Sequence, residues 1–468
     1  TGTIVESHAT AHVSDMGLAP YTYNFMGGLT GSNTGTIVAS YATGNVSGAG
    51  DYVGGLAGEN NGTITASYAT GAVEGRDMVG GLAGFSGIAI TGSHATGLVT
   101  GSQRVGGLVG ESYGSITASY ATGDVVATTD LSSSVYNYAG GLVGWNTGAI
   151  TESHASGNVS GNGDYIAGLV GENYYGGTIT ASYATGDVEG RANLGGLVAQ
   201  SYGDIARSHA TGNVTGDKRD GNVTYAGGLA GVNFGTITES YATGNVTGAG
   251  DYVGGLTALS IASATIEDSY ATGNVSGGRN VGGLVGSNAS AITRSHATGN
   301  VTGTSYSTGG LVGQHSGAIS QSYATGDVIG TTDVGGLVGY MYGATVTSSY
   351  ATGAVGGYGN VGGLVGFFAS STIDNTYAAG LVSGTASSVG GLVGSNFNTA
   401  TVLDSYWDAT VNPTGIGASL GTATDVEGLT TAEMQDPFSF IDRGWDLAAL
   451  WGKAEAGGNG GTMMLRWQ

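Results

Sequence analysis

Gly62-Thr63-Ile64-Thr65-Ala66-Ser67-Tyr68-Ala69-Thr70-Gly71 follows Val53-Gly54-Gly55-Leu56-Ala57-Gly58 and leads into Ala72-Val73-Glu74-Gly75, and these three elements decide the fold. The first recurs fifteen times from Ile4 to Val402. The second, a Gly-Gly-Leu or Ala-Gly-Leu triplet, places Leu at 29, 56, 82, 108, 142, 169, 197, 229, 256, 284, 311, 337, 364 and 392. These fourteen rows lie 26 to 28 residues apart, with two wider steps of 34 and 32. A period of this length marks stacked repeats, not a series of independent domains.

Each repeat offers three apolar stretches, too short and too rich in Gly and β-branched residues for helices but suited to strands. The pattern predicts an all-β parallel β-solenoid (a β-helix) of about 14 coils of ~27 residues, each with three short strands. By analogy with parallel crossover connections a right-handed coil is expected, solenoids of both hands being known. One Leu, one Ile and one Val per coil contribute roughly 5 to 9 kcal/mol on burial, less than the cost of ordering the coil at ~1 to 2 kcal/mol per residue. Stability must therefore come from the array.

Composition agrees. Of 468 residues 95 are Gly, three are Pro and none is Cys; 9% are charged, and 11 Lys plus Arg against 33 Asp plus Glu give a formal charge of -22. Such a chain does not seek nucleic acid or anionic lipid, holds no disulfide framework, and has no apolar run of the ~18 residues a membrane helix needs. In a parallel stack each residue sits about 4.8 Å from its counterpart, so a fully charged column would repel itself. The column before the Ser-Tyr or Ser-His pair dilutes its charges: Ala66, Gly92, Ala118, Glu152, Ala181, Arg207, Glu239, Asp268, Arg294, Gln321. That column should face solvent, with Ser67 and Ala69 pointing inward and Tyr68 and Thr70 outward.

Residues 1–402 are thus read as repeats and 403–468 as a C-terminal cap over the last coil's strand edges and apolar end. Four of the five Trp, at 407, 445, 451 and 467, fall in the cap. Thr430-Thr431-Ala432-Glu433 is a capping box opening a short helix that Pro437 should end. The chain starts directly in a repeat, so the first coil is expected to be open, and the Trp-rich end of one molecule (Trp407, Trp445, Trp451, Trp467) covering the first coil of the next would make a head-to-tail filament.

The repeated VGGLVG (105–110, 281–286, 334–339, 361–366) joined to GTITASYATG (62–71) resembles the GLUG-motif family, and Leu429 to Met434 with Gly444-Trp445-Asp446 and Leu465-Arg466-Trp467 resembles the ending often found behind such repeats. The resemblance implies an accessory repeat module of large bacterial secreted and cell-surface proteins, adhesin-like chains among them. It brings no catalytic residues.

An aromatic ladder runs along one face: His8, Tyr41, Tyr68, His94, Tyr120, His154, Tyr183, His209, Tyr241, Tyr270, His296, Tyr323, Tyr350, Tyr377 and Tyr406. Histidines in a column otherwise held by Tyr read as structural rungs, not metal ligands; the rungs are expected to pack ring on ring, with a carbohydrate-binding strip as the alternative. Asn45, Asp124, Asn158, Asp187, Asn213, Asn245, Asn274, Asn300 and Asp327 lack the dense Gly-Asp spacing of calcium repeats and read as a turn ladder. Thr-Ile-Thr rows at 63–65, 178–180 and 236–238 are too irregular to favour an ice-binding face. Acids are scattered without the paired carboxylates and basic partner of a glycan-cleaving site, so no enzyme, cofactor or metal is expected. Loops at 13–26, 126–139 and 215–226 all precede the Gly-Gly-Leu element and should project from one edge. Tyr21, Tyr23, Tyr136, Tyr138, Lys218, Arg219 and Tyr225 on them are the candidate contacts for a partner. The expectation is a non-enzymatic extracellular stalk or fibre subunit of a bacterial surface protein. The alternative is a module binding a glycan, a host protein or ice through the ladder or these loops.

Overall fold

The computed structural model describes residues 2–15, 24–128, 137–217, 224–385, 388–453 and 459–468. The chain falls into two compact units, Thr1–Gly244 and Asn245–Gln468, both built from the same parallel β-solenoid coil. In the first unit one coil runs through Asp51–Gly54, Ala57–Asn60, Thr63–Thr65, Tyr68–Ala69 and Val73–Glu74. Each segment pairs in parallel with its counterparts one repeat away: Ile64 with Ile37 and Ile90, Val73 with Val46 and Val99, Ala57 with Ala83. The three apolar elements of the sequence are all present. Two of them bend in the middle, so a coil carries five strand segments.

Each bend has a local cause. The Gly-Gly-Leu element turns where the coils approach too closely for a side chain: a Cβ on Gly81 would lie 2.1 Å from the carbonyl oxygen of Gly107 in the next coil. The second element turns at Ala66, whose φ is 48°. The same corner is left-handed at Ala118, Glu152, Ala181, Arg207 and Glu239, and in the second unit at Asp268, Arg294, Gln321 and Ser348. A non-glycine residue there costs roughly 1 to 2 kcal/mol, and the serine that follows supplies an offset. The Ser40 N–H donates to Ser67 Oγ at 3.1 Å, the Ser67 N–H donates to Ser93 Oγ at 3.1 Å, and Ser67 Oγ itself donates to the Thr65 carbonyl at 2.9 Å. The hydroxyl column thus carries hydrogen bonding through a corner where the regular ladder is interrupted.

The core consists of columns. Val53, Leu56, Ala57, Ile64 and Ala69 are fully buried, as are their counterparts Val281, Leu284, Val285, Ile292 and Ala297 in the second unit. Ser67 is buried with Ala69, Tyr68 is half-buried and Ala66 and Thr70 are exposed, the alternation expected of this stretch.

Residues 403–468 belong to the second unit. Ile416–Ser419 and Thr422–Leu429 add a last parallel layer on Val393–Phe397 and Thr401–Asp408. Trp407 takes the place of the inner Ala, opposite Ala378, and its Nε1 donates to the Asn412 carbonyl at 3.0 Å. Its ring fills the space above Gly391 and Gly415, where an added Cβ would come within 2.5 Å and 2.4 Å of the indole. The capping box forms on the helix Thr431–Met434. Pro437 does not end that helix but opens a second, Pro437–Ile441, capped by Asp436. The other three Trp do not join Trp407 at the end of the stack. With Phe440 and the antiparallel pair Trp451–Lys453 and Met463–Leu465, they lie against the flank of the coils, on the rungs Tyr323, Tyr350, Tyr377 and Tyr406. No described helix is long and apolar enough to cross a membrane.

Candidate functional site

The Tyr/His column is a stacked ladder. In the first unit Tyr41 and Tyr68 have ring centroids 4.8 Å apart at an interplanar angle of 4°, and His94 and Tyr120 are 4.6 Å apart at 2°. His154 and Tyr183, at 4.7 Å and 3°, repeat the arrangement. Each ring therefore spends its faces on its neighbours and turns its edge outward. Burial lowers the proton affinity of His94, His154 and His209, which keeps them neutral rungs. A sugar stacks on a free ring face, and this geometry leaves little of one.

The outer Asn/Asp column ties coil to coil. Asp124 Oδ1 accepts from the Asn158 N–H at 2.8 Å, Asn158 Oδ1 from the Asp187 N–H at 2.9 Å, and in the second unit Asn274 Oδ1 from the Asn300 N–H at 2.9 Å. Among the described residues no group of three or more His, Asp or Glu is placed to hold a metal ion. The outward Thr column is broken, with Ala149 opposite Thr178 and Ala291 opposite Thr265.

Of the loop candidates, Tyr21, Tyr23, Tyr136, Lys218 and Arg219 lie outside the described residues. Tyr138 and Tyr225 are half-buried at the starts of the strands Tyr138–Gly140 and Tyr225–Gly227. Tyr138 stacks on Tyr165 at 5.0 Å and gives its hydroxyl to Glu172. That bond connects it to a second aromatic run.

This run, confined to the first unit, links Phe25, Tyr52, Phe85, Tyr113, Trp145, Tyr174, Tyr202 and Phe234 through successive centroid distances of 4.9, 6.2, 5.5, 5.4, 5.4, 5.4 and 4.5 Å. Tyr175 joins it 4.4 Å from Tyr202. Unlike the ladder, most of its rings are tilted, at 50° between Phe85 and Tyr113 and 60° between Tyr113 and Trp145. Tyr113 is 50% and Tyr175 65% exposed. The stripe grows from the outward positions just after Gly-Leu-x-Gly, where Glu59, Phe85, Glu111, Trp145, Glu172 and Gln200 follow one another in register. Alternating acid with aromatic separates the carboxylates by two coils, the dilution seen in the Ala66 column. In the second unit the same positions hold Leu259, Ser287, Gln314, Tyr340 and Phe367.

Acids sit beneath these rings. Glu172 is buried, accepting from Trp145 Nε1 at 2.9 Å and Gln200 Nε2 at 3.2 Å; burial raises its proton affinity and these hydrogen bonds oppose the rise. A cleft of about 570 Å³ opens beside Tyr52, Phe85 and Tyr113, with Asp51, Asp77, Glu111 and Arg104 in its wall. Arg104 bridges Asp77, through Nε at 2.9 Å, and Glu111, while Arg76 pairs with Asp51. The fold thus gathers carboxylates from different coils that are scattered in sequence. A reading of the column after Gly-Leu-x-Gly by strand alternation, as was applied to the Ser-Tyr element, would have found Phe85, Glu111, Trp145 and Glu172 on one face. Tyr52 and Tyr113 flank it in neighbouring columns.

Six stretches, residues 101–126, 135–160, 162–189, 222–247, 277–302 and 304–329, match the family model described as the GLUG motif. No curated protein and no solved structure matches the chain. Coil and register show a parallel β-solenoid, and the chain carries six GLUG-motif repeats within it.

Proposed function

We propose that this protein is a non-enzymatic, extracellular structural and adhesive module of a bacterial cell surface, and that the aromatic stripe of its first unit is the adhesive surface. The observation that carries the reading is the placement of tilted, partly exposed rings in a continuous line over buried, immobilised carboxylates. Contiguous exposed apolar surface rimmed by polar groups marks an interaction site. The cleft carboxylates are held by guanidinium groups, Asp51 by Arg76 and Asp77 and Glu111 by Arg104, which fixes them for orienting a ligand. The repeated coil supplies a stiff support, since every segment is hydrogen-bonded to its neighbours in register.

The test coats inert beads with the full chain and measures capture on printed extracellular glycans and matrix proteins, beside a chain carrying Tyr113→Ala and Trp145→Ala. Capture by the native chain that the double variant loses supports the reading. Capture of nothing, or equal capture by both, overturns it.

A further inference from the structure

Resting on the adhesive reading of this face, we infer that the ligand is an uncharged polysaccharide lying along the direction of coil stacking, its sugar rings on the tilted aromatics and its hydroxyls on the carboxylates between them. Three features converge on that class. The stripe repeats with the coil, through ring separations between 4.4 and 6.2 Å, so it fits a ligand that itself repeats. A single compact epitope would need one deep pocket with a dominant anchor, whereas this surface offers many similar contacts in a row.

The polar groups between the rings are acceptors in fixed positions. Glu172 is held by Trp145 and Gln200, Glu111 by Arg104, and Ser32 Oγ donates to Glu59 at 2.8 Å. Such carboxylates take hydrogen bonds from hydroxyls without having to be ordered first, which lowers the cost of binding. The apolar body of a pyranose covers a ring while its rim hydroxyls reach the acid beside it, matching the alternation Phe85, Glu111, Trp145, Glu172.

Charge separates this class from its competitors. Asp51, Asp77, Glu59, Glu111 and Glu172 outnumber Arg76 and Arg104 on a chain of formal charge -22, so sulfated or uronate-rich glycans meet like charge. A cationic polymer would bind by charge anywhere on such a surface, and that attraction would fade with salt. Stacking and hydroxyl contacts persist in salt.

The experiment is titration calorimetry of the full chain with neutral linear oligosaccharides (β-1,4-glucan, β-1,4-mannan and β-1,3-glucan, from trimer to hexamer), with a heparin oligomer as the anionic probe, at low and high salt. At least one neutral series should bind, tighten with length and be indifferent to salt, while heparin does not bind. Trp145→Ala and Tyr113→Ala should each weaken it about tenfold. Glu172→Gln, which keeps the shape of the side chain, should weaken it severalfold, and Tyr120→Ala on the ladder should leave it unchanged. Unaltered circular dichroism of each variant excludes loss of fold as the cause. No neutral series binding, while bead capture of matrix proteins still depends on Tyr113 and Trp145, overturns the glycan class and leaves the adhesive reading standing. Loss of both overturns both, and binding abolished by Tyr120→Ala alone moves the site to the ladder and overturns the inference.

Discussion

The same aromatic ladder occurs in both units under two conditions. From Tyr41 to Tyr241 the rungs of the first unit are half-buried. In the second unit Tyr323, Tyr350, Tyr377 and Tyr406 are 9%, 1%, 0% and 2% exposed beneath Phe440, Trp445, Trp451 and their neighbours. Ring geometry does not distinguish them: Tyr350 and Tyr377 stack at 4.9 Å and 2°, Tyr41 and Tyr68 at 4.8 Å and 4°. Stacking is therefore a product of the parallel register, and burial is a separate contribution from the C-terminal segment. What covers the second ladder is aromatic and reaches backbone: Trp467 Nε1 donates to the carbonyl of Gln321 at 3.0 Å, at the corner before the Tyr323 rung. The electrostatics differ accordingly. Burial lowers His94, His154 and His209, and carries His296, under Trp467, down to about 4.

Removing the cover should break the comparison most sharply. Trp451 is fully buried against Tyr350 and Tyr377, and Trp451→Ala should cost the second unit about 3 to 5 kcal/mol. Hydrogen exchange resolved by unit should show protection falling in Asn245–Gln468 and holding in Thr1–Gly244. Equal softening of both units would mean that the segment is not what sets them apart.

Acid should separate the units next. His296, under the cover, and His315, fully buried beside Asn288 at 3.1 Å, are both held near 4, against 6.5 for an exposed imidazole. Each is neutral when folded and takes up a proton on unfolding below about pH 6.5. Their contribution is whole above that pH and lost as pH falls toward 4, about 3 kcal/mol apiece. In the first unit the column of His315 holds Asn33, Asn60, Ser86 and Ser112, which do not titrate. Denaturant melts between pH 7 and 4 should weaken the second unit first, and His315→Asn should remove part of that slope.

The period made the coil legible, and alternation placed Ser67, Tyr68, Ala69 and Thr70 correctly, because a parallel register converts sequence position directly into column. Two things escaped the sequence. The left-handed corner at Ala66 did, since most rows hold Ala, Glu, Arg or Gln there, residues without a turn signature, and few, such as Gly92, Asp268 and Asn375, hint at it; the clue was the hydroxyl residue that follows, Ser in nearly every row and Thr376 after Asn375. The aromatic stripe did as well, because its rings occupy three neighbouring columns and no column is aromatic throughout: Glu59 precedes Phe85, and Glu111 precedes Trp145. Composition marked the C-terminal segment, and Trp407 stands in the inner Ala column of its last rung. Nothing in its spacing said that Trp445, Trp451 and Trp467 would turn back along the flank, for that depends on tertiary contact with rungs well upstream, from Tyr406 and Tyr377 under Trp445 to Tyr323 and His296 under Trp467.

The smallest expected effect is the most discriminating about the ladder itself. If the open rungs need only a flat ring at the coil spacing, their identity should hardly matter. His94 stacks between Tyr68 and Tyr120 at 5.0 and 4.6 Å, and His94→Tyr leaves a ring in the same register with its hydroxyl free to reach solvent. The change in stability of the first unit should stay within about 0.5 kcal/mol. His296→Tyr is a different substitution in the same column, because Trp467 lies 6.0 Å from that ring and the added hydroxyl must find room or a partner beneath it. A measurable loss there beside none at His94 would show that the cover reads the identity of a rung, while the stack reads only its shape. Comparable losses at both would show instead that the imidazoles of the open ladder make contacts of their own.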